Sequence, residues 1–331
     1  MLKLPDMWRV LKEVDLEAIR REAERPFQIA VLADAPEDAR RLAELLSGSQ
    51  GEHPWIRAMD AEEGRRVAGS ATFDLAVVVS RAAEPGPALA SAAEMLRAAH
   101  VPVVTVVCGA VRPLDALVRP GEGTRAAIPD LDEARLPAVA QAVLAAVPPS
   151  ARLALARHLQ PLRGLLIKEL IEEASKANAI YALTTGIAEA VPLLDVPLNL
   201  ADIVVLTKNQ LVMSYKIAVA SGKSGSPRHM IGEVLGVVGG AFLFRQGARQ
   251  LVGLIPIAGI APKVVVAYAG TQAIGRAVAA WASEGKRLSR ASVQRLYREA
   301  RGRGKHVADT LVAQAQRARG RSGLRGSQEA E

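Results

Sequence analysis

Cys108 is the only cysteine in the chain, and the five histidines, His53, His100, His158, His229 and His306, are scattered along it. One thiol makes neither an intrachain disulfide nor a zinc site built on several thiolates, and no His-x-x-x-His or His-x-Glu spacing sets two ligands on one helix face. A nucleophilic cysteine needs a base beside it; no histidine is near Cys108 in sequence, so it reads as a small core hydrophobe. Nucleotide chemistry fares no better. A phosphate-binding loop needs glycine for the turn, a lysine for the phosphates and a Ser or Thr for magnesium. The turn after the first apolar run is Ala33-Asp34-Ala35-Pro36-Glu37-Asp38-Ala39-Arg40, which has none of them. Pro36 removes an amide donor, and Glu37 and Asp38 put negative charge where phosphate would sit. After the third run, Cys108-Gly109-Ala110-Val111 stands where a guanine-reading Asn-Lys-x-Asp would be. Arg40 and Arg41 read as solvated charges on an exposed helix face. The expectation is no catalytic residue, no metal, no cofactor and no bound nucleotide.

The elements that would position such groups alternate. Gln28 to Ala33, Phe73 to Ser80 and Val101 to Val107 are continuous apolar runs, the pattern of strands buried on both faces, and a fourth lies near Thr124 to Pro129. Between them Ala39 to Leu46, Ala88 to Ala99 and Leu131 to Ala146 have helical periods. This predicts a small doubly wound α/β domain over 26–149, with a ligand crevice at the carboxyl ends of its strands. Residues 1–25 mix charge with Leu11, Val14, Leu16 and Ile19, giving an amphipathic helix and no secretory signal.

Beyond Pro148-Pro149 the chain reads as all-α and apolar. Residues 150–178 form a connecting helix, and 179–285 hold three apolar segments, Ala179 to Leu206, His229 to Phe244 and Leu251 to Ile274. Pro192 and Pro197 interrupt the first, the second is short, and the third is long enough to cross a bilayer provided Lys263 is paired or drawn to an interface. Gly232, Gly236 and Gly240 share one helix face, which lets helices approach closely. The segments therefore predict a membrane-embedded or re-entrant hairpin; a hairpin buried in soluble protein is the alternative.

Charge sharpens this. From Lys286 to Arg325 there are twelve Lys and Arg against Glu299 and Asp309, a net +10 that exceeds the +8 of the whole chain. A basic flank after an apolar hairpin points to an anionic cytoplasmic leaflet as partner. Gly302 and Gly304 are expected to break the helix over 286–316, and 317–331 read as disordered. With four Phe, three Trp and four Tyr there is little to stack bases on, so nucleic acid is not the expected partner.

Two stretches carry a resemblance. Val191 to Gly222, VPLLDVPLNLADIVVLTKNQLVMSYKIAVASG, resembles the proline-rich approach and Leu-Thr-x-x-Gln-x-x-Met helix of the domain of unknown function 697 family, a YcjF-like helical module found behind Era-type GTPase domains. Leu206, Thr207, Gln210, Met213 and Gly222 match that pattern. Leu251 to Gly285 has the module's Ile-Pro-x-x-Gly turn at Pro256 and Gly259, and its Thr-x-x-Ile-Gly-Arg-Ala run at Thr271, Gly275 and Arg276, followed by Trp281. The resemblance covers about Glu169 to Gly285. It implies a helical, membrane-associated module joined to a GTPase-type domain, here one without its P-loop chemistry, and it supplies no catalytic residue. The matched positions have packing roles: Pro192 and Pro197 redirect helices, Gly259 permits a turn after Pro256, and Gln210 and Thr271 can bond across a helix interface.

The sequence thus predicts a non-enzymatic, membrane-associated pseudo-GTPase scaffold, with its N-terminal domain and its 286–331 basic tail in the cytoplasm. A divergent GTP-binding protein is one alternative. A soluble cytoplasmic adaptor that self-associates or binds a protein partner through its apolar helices is another.

Overall fold

The continuous apolar runs form the middle of a sheet in a computed structural model of the chain, which describes residues 14–69, 72–82, 84–109, 117–119, 123–189, 200–237 and 260–328. Six strands, β1 (Ile29–Ala33), β2 (Ile56–Asp60), β3 (Leu75–Ser80), β4 (Val103–Cys108), β5 (Leu117–Arg119) and β6 (Gly123–Ile128), take the order β2-β1-β3-β4-β6-β5. All neighbours are parallel except β5 and β6. Every residue of β1 and β3 is buried, as a strand covered on both faces requires. The helices packed on the sheet are α2 (Pro36–Ser47), α3 (Ala61–Val67), α4 (Pro87–Ala98) and α5 (Leu136–Ala146); α1 (Leu16–Glu24) precedes β1, and α6 (Pro149–His158) follows α5. Leu32, Ala76, Val78, Leu89, Ala92 and Leu96 make one core between sheet and helices.

β2 and α3 are not among the expected elements. β2 reads Ile-Arg-Ala-Met-Asp and buries only Ile56 and Met59, so it lacks the unbroken apolar run of an inner strand. Asp60 ends it and caps the next helix, accepting from the Glu63 N–H at 2.7 Å. The stretch 150–178 is also not one helix: α6 stops at a buried, extended Leu159, and α7 (Gln160–Glu189) starts afresh with Pro161 in its first turn.

The chain divides into two compact units, Ala18–Lys168 and a second made of Met1–Glu17 with Glu169–Glu331, the divisions falling within α1 and within α7. The second unit's described elements are all helices: the rest of α7, α8 (Leu200–Ala220), α9 (Pro227–Val237), α10 (Ile260–Glu284) and α11 (Arg290–Gln328). α10 packs along α11 and against α8.

Two expectations are corrected here. Among the described residues no helix is long and apolar enough to cross a membrane. α10 shows why: although 25 residues long, it buries Lys263, Thr271 and Gln272 among other helices. The middle of the expected hairpin, 238–259, lies outside the described residues. The second correction concerns the tail, which is helical through Gly302 and Gly304 and on to Gln328. A helical glycine costs about 1 kcal/mol relative to alanine. Here packing outweighs that cost, since Val293, Ala300 and Ala308 are buried and Gly304 brings its backbone against Tyr268 and Val265.

Candidate functional site

In an open α/β sheet the ligand crevice opens outside the carboxyl ends of the strands where strand order reverses, here between β1 and β3. β1 leads through Asp34-Ala35-Pro36 into α2, and β3 ends at Ser80, followed by Arg81. Across this point Asp38, in the first turn of α2, meets Arg81. The guanidinium donates from Nε to Oδ2 at 2.7 Å and from Nη2 to Oδ1 at 2.6 Å, a two-pronged pair that occupies both carboxylate oxygens. The Asp38 side chain is 7% exposed and that of Arg81 67%. Hydrogen bonding to Asp38 raises the Arg81 guanidinium above its ordinary value.

The surrounding groups are also committed to one another. The Asp38 N–H bonds back to the Ala35 carbonyl at 3.0 Å, and Pro36 in the first turn of α2 brings no N–H. Asp34 accepts from the Gly86 N–H at 3.2 Å; a Cβ at Gly86 would stand 2.8 Å from Asp34 Oδ1, so this position admits only glycine without a shift. Ser80 Oγ accepts from the Ala82 N–H at 3.1 Å and lies 3.0 Å from the Ala82 carbonyl. Cys108, at the end of β4, is buried, and burial followed by the Asp38 carboxylate pushes its thiol up to about 11. It is a thiol at neutral pH, which is poor chemistry for a nucleophile. No group of three His, Cys, Asp or Glu able to hold a metal occurs among the described residues.

The helical unit brings a second set of polar residues together. Thr271 of α10 accepts at Oγ1 from Asn178 Nδ2 of α7 at 2.9 Å and from Gln210 Nε2 of α8 at 3.1 Å, and donates to the Ala267 carbonyl at 2.8 Å. Asn209 Nδ2 closes the set on Asn178 Oδ1 at 2.8 Å. One turn away, Tyr268 and Gln272 both donate to Glu172 Oε2 at 2.8 Å, and burial with that bond pushes the Tyr268 hydroxyl up to about 12. These bonds, anchored on the buried Asn178, Thr271 and Gln272, tie α7, α8 and α10 to one another.

Of the other motif residues, Thr207 and Met213 are buried. Gly222 has φ +84° after α8, its N–H bonding to the Val219 carbonyl and that of Lys223 to Ala218, a glycine-dependent helix stop. A Cβ on Gly275 would lie 2.6 Å from Ile171 Cγ1, so α7 and α10 touch there. Arg276 pairs with Glu299 of α11 at 3.5 Å. Pro192, Pro197, Pro256 and Gly259 lie outside the described residues. Sequence reasoning overlooked Asp38 with Arg81, and Asn178, Asn209, Glu172, Tyr268 and Gln272. The one available signal was an Asn or Gln within an apolar helical run.

No family model matches the chain, and searches of the curated proteins and of the solved structures find nothing similar to it.

Proposed function

We propose that the chain is a non-enzymatic scaffold: a degenerate GTPase-type α/β unit that binds no nucleotide, joined to a helical module similar to the domain of unknown function 697 family. The Asp38–Arg81 pair carries this reading. Phosphate in a doubly wound fold is held by free amides at a helix N-terminus and by a cation aimed at it. At the β1/β3 crevice the first turn of α2 presents Pro36, Glu37 and Asp38, and the cation at hand, Arg81, is already engaged with a buried carboxylate. A phosphate entering there meets like charge and must break a two-pronged bond. Supporting the helical half are Gln210 and Thr271, two of the polar residues of the family-like runs, which bond to each other between α8 and α10.

A thermal-shift series with GTP, GDP, ATP and ADP in magnesium tests this. At about 1 mM ligand, a site with a dissociation constant of about 10 μM would add about 2.7 kcal/mol to the stability of the unit that binds. That is several degrees for a unit of this size. No shift is expected, and a saturable rise with any one nucleotide refutes the reading.

A further inference from the structure

α11 turns a charged tail into an ordered row. Its apolar side is taken: Val293, Ala300, Gly304 and Ala308 are buried, and Tyr297 packs with Ala273 and Ala277 of α10. At 3.6 residues per turn, Arg295, Arg298, Arg301 and Lys305 fall within an arc of about 120° on the other side, along about 15 Å of helix. All four are exposed. No carboxylate of the described residues is within ion-pairing distance of them, and nearby Glu299 reaches for Arg276 instead. From Gln294 to Asp309 the arc otherwise holds Gln294, Gly302 and Asp309, so it carries no apolar side chain.

We infer that this row is a docking face for an anionic phospholipid bilayer, held by headgroup phosphates at the surface and not inserted. A bilayer offers a plane of phosphodiesters that four cations on one arc reach together, and the guanidinium fork suits phosphate. Insertion of an interfacial helix needs an apolar face directed at lipid. α11 spends its apolar face on α10, so attachment is electrostatic and weakens with salt. A nucleic-acid groove flanks a helix on both sides, whereas the opposite flank of α11 carries Glu299 beside Arg303. Single strands need exposed aromatics, and Tyr297 is packed inward. This inference is independent of the closed crevice: a protein that bound nucleotide would keep the same row.

The test is sedimentation of the full chain with phosphatidylcholine vesicles and with vesicles containing about one-third phosphatidylserine, at low and at high salt. Each cation near an anionic leaflet is worth roughly fivefold in binding. Binding is expected only to the anionic vesicles, to be lost at high salt, and to fall about 25-fold in R298Q/K305Q and more than 100-fold in R295Q/R298Q/R301Q/K305Q. Unchanged circular dichroism shows that the variants are folded; should the fourfold variant not fold, the twofold one decides. Equal binding to neutral vesicles, binding indifferent to the substitutions, or tighter binding to a DNA duplex than to the vesicles at the same salt overturns the inference.

Discussion

Asp38 and Arg81, 43 residues apart in sequence, form a two-pronged ion pair across the β1/β3 crevice, and only the arginine faces water. The asymmetry sets what each substitution does. Arg81→Ala leaves a nearly buried carboxylate without its fork and is the more destabilising of the two substitutions. Asp38→Ala leaves a guanidinium already two-thirds in water and costs less. Urea unfolding of the two single variants and the double variant measures both values and their coupling. Equal losses that simply add would show that the pair does not hold the crevice.

Thr271 is the shared acceptor for Asn178 and Gln210. Thr271→Val keeps the shape but removes the acceptor that Asn178 and Gln210 share, costing about 1–3 kcal/mol, whereas Thr271→Ser keeps the oxygen and costs about 1 kcal/mol. Thermal unfolding of the two variants separates them. A valine variant as stable as the serine variant would mean that water reaches this point.

Close approach of α7 and α10 makes Gly275 sensitive to size. Gly275→Ala drives a methyl into Ile171 and costs about 1–3 kcal/mol. In Gly275→Ala/Ile171→Ala the new methyl occupies part of the space vacated, so the double variant loses less than the sum of the singles. Additive losses in denaturant midpoints would rule out this contact.

Stability of the α/β unit is expected to depend on pH through His53 and His158. His158 packs at a tilt against Trp55 with ring centroids 5.0 Å apart, and Trp55 stacks on Phe27 at 5.4 Å. Burial holds His158 below its ordinary value of 6.5, with Arg157, His53 and Arg163 adding to the effect, and burial lowers His53 as well. Both groups take up a proton more readily when unfolded. The stability they allow is complete above about pH 6.5 and is lost as pH falls through their lower folded values. Melting temperatures from pH 7.5 to 5 should fall, and less steeply in His158→Gln. A wild-type and variant with parallel slopes would remove His158 from the account.

β1, β3 and β4 were legible because a strand buried on both faces must be apolar throughout, and Ala30 to Ala33 and Leu75 to Val79 are. β2 was not, because an edge strand needs only alternate residues inside and Arg57 breaks its run. The vacancy of P-loop chemistry could be read at Asp34 to Arg40, since each missing group is a residue type. That Arg81 would fill the crevice could not, because pairing over 43 residues depends on how β1 and β3 register. Gly302 and Gly304 misled for a related reason: local propensity argued for a break, and the contact of Gly304 with Tyr268 is invisible until α10 and α11 pack.

Isothermal titration of the full chain with GTP and GDP in magnesium goes most directly to whether the β1/β3 crevice is closed. With Asp38 and Arg81 bound to each other, no saturable heat is expected from either nucleotide in wild-type protein. A one-to-one isotherm with a dissociation constant below about 10 μM, a standard binding free energy of about −7 kcal/mol, would contradict a nucleotide-independent scaffold.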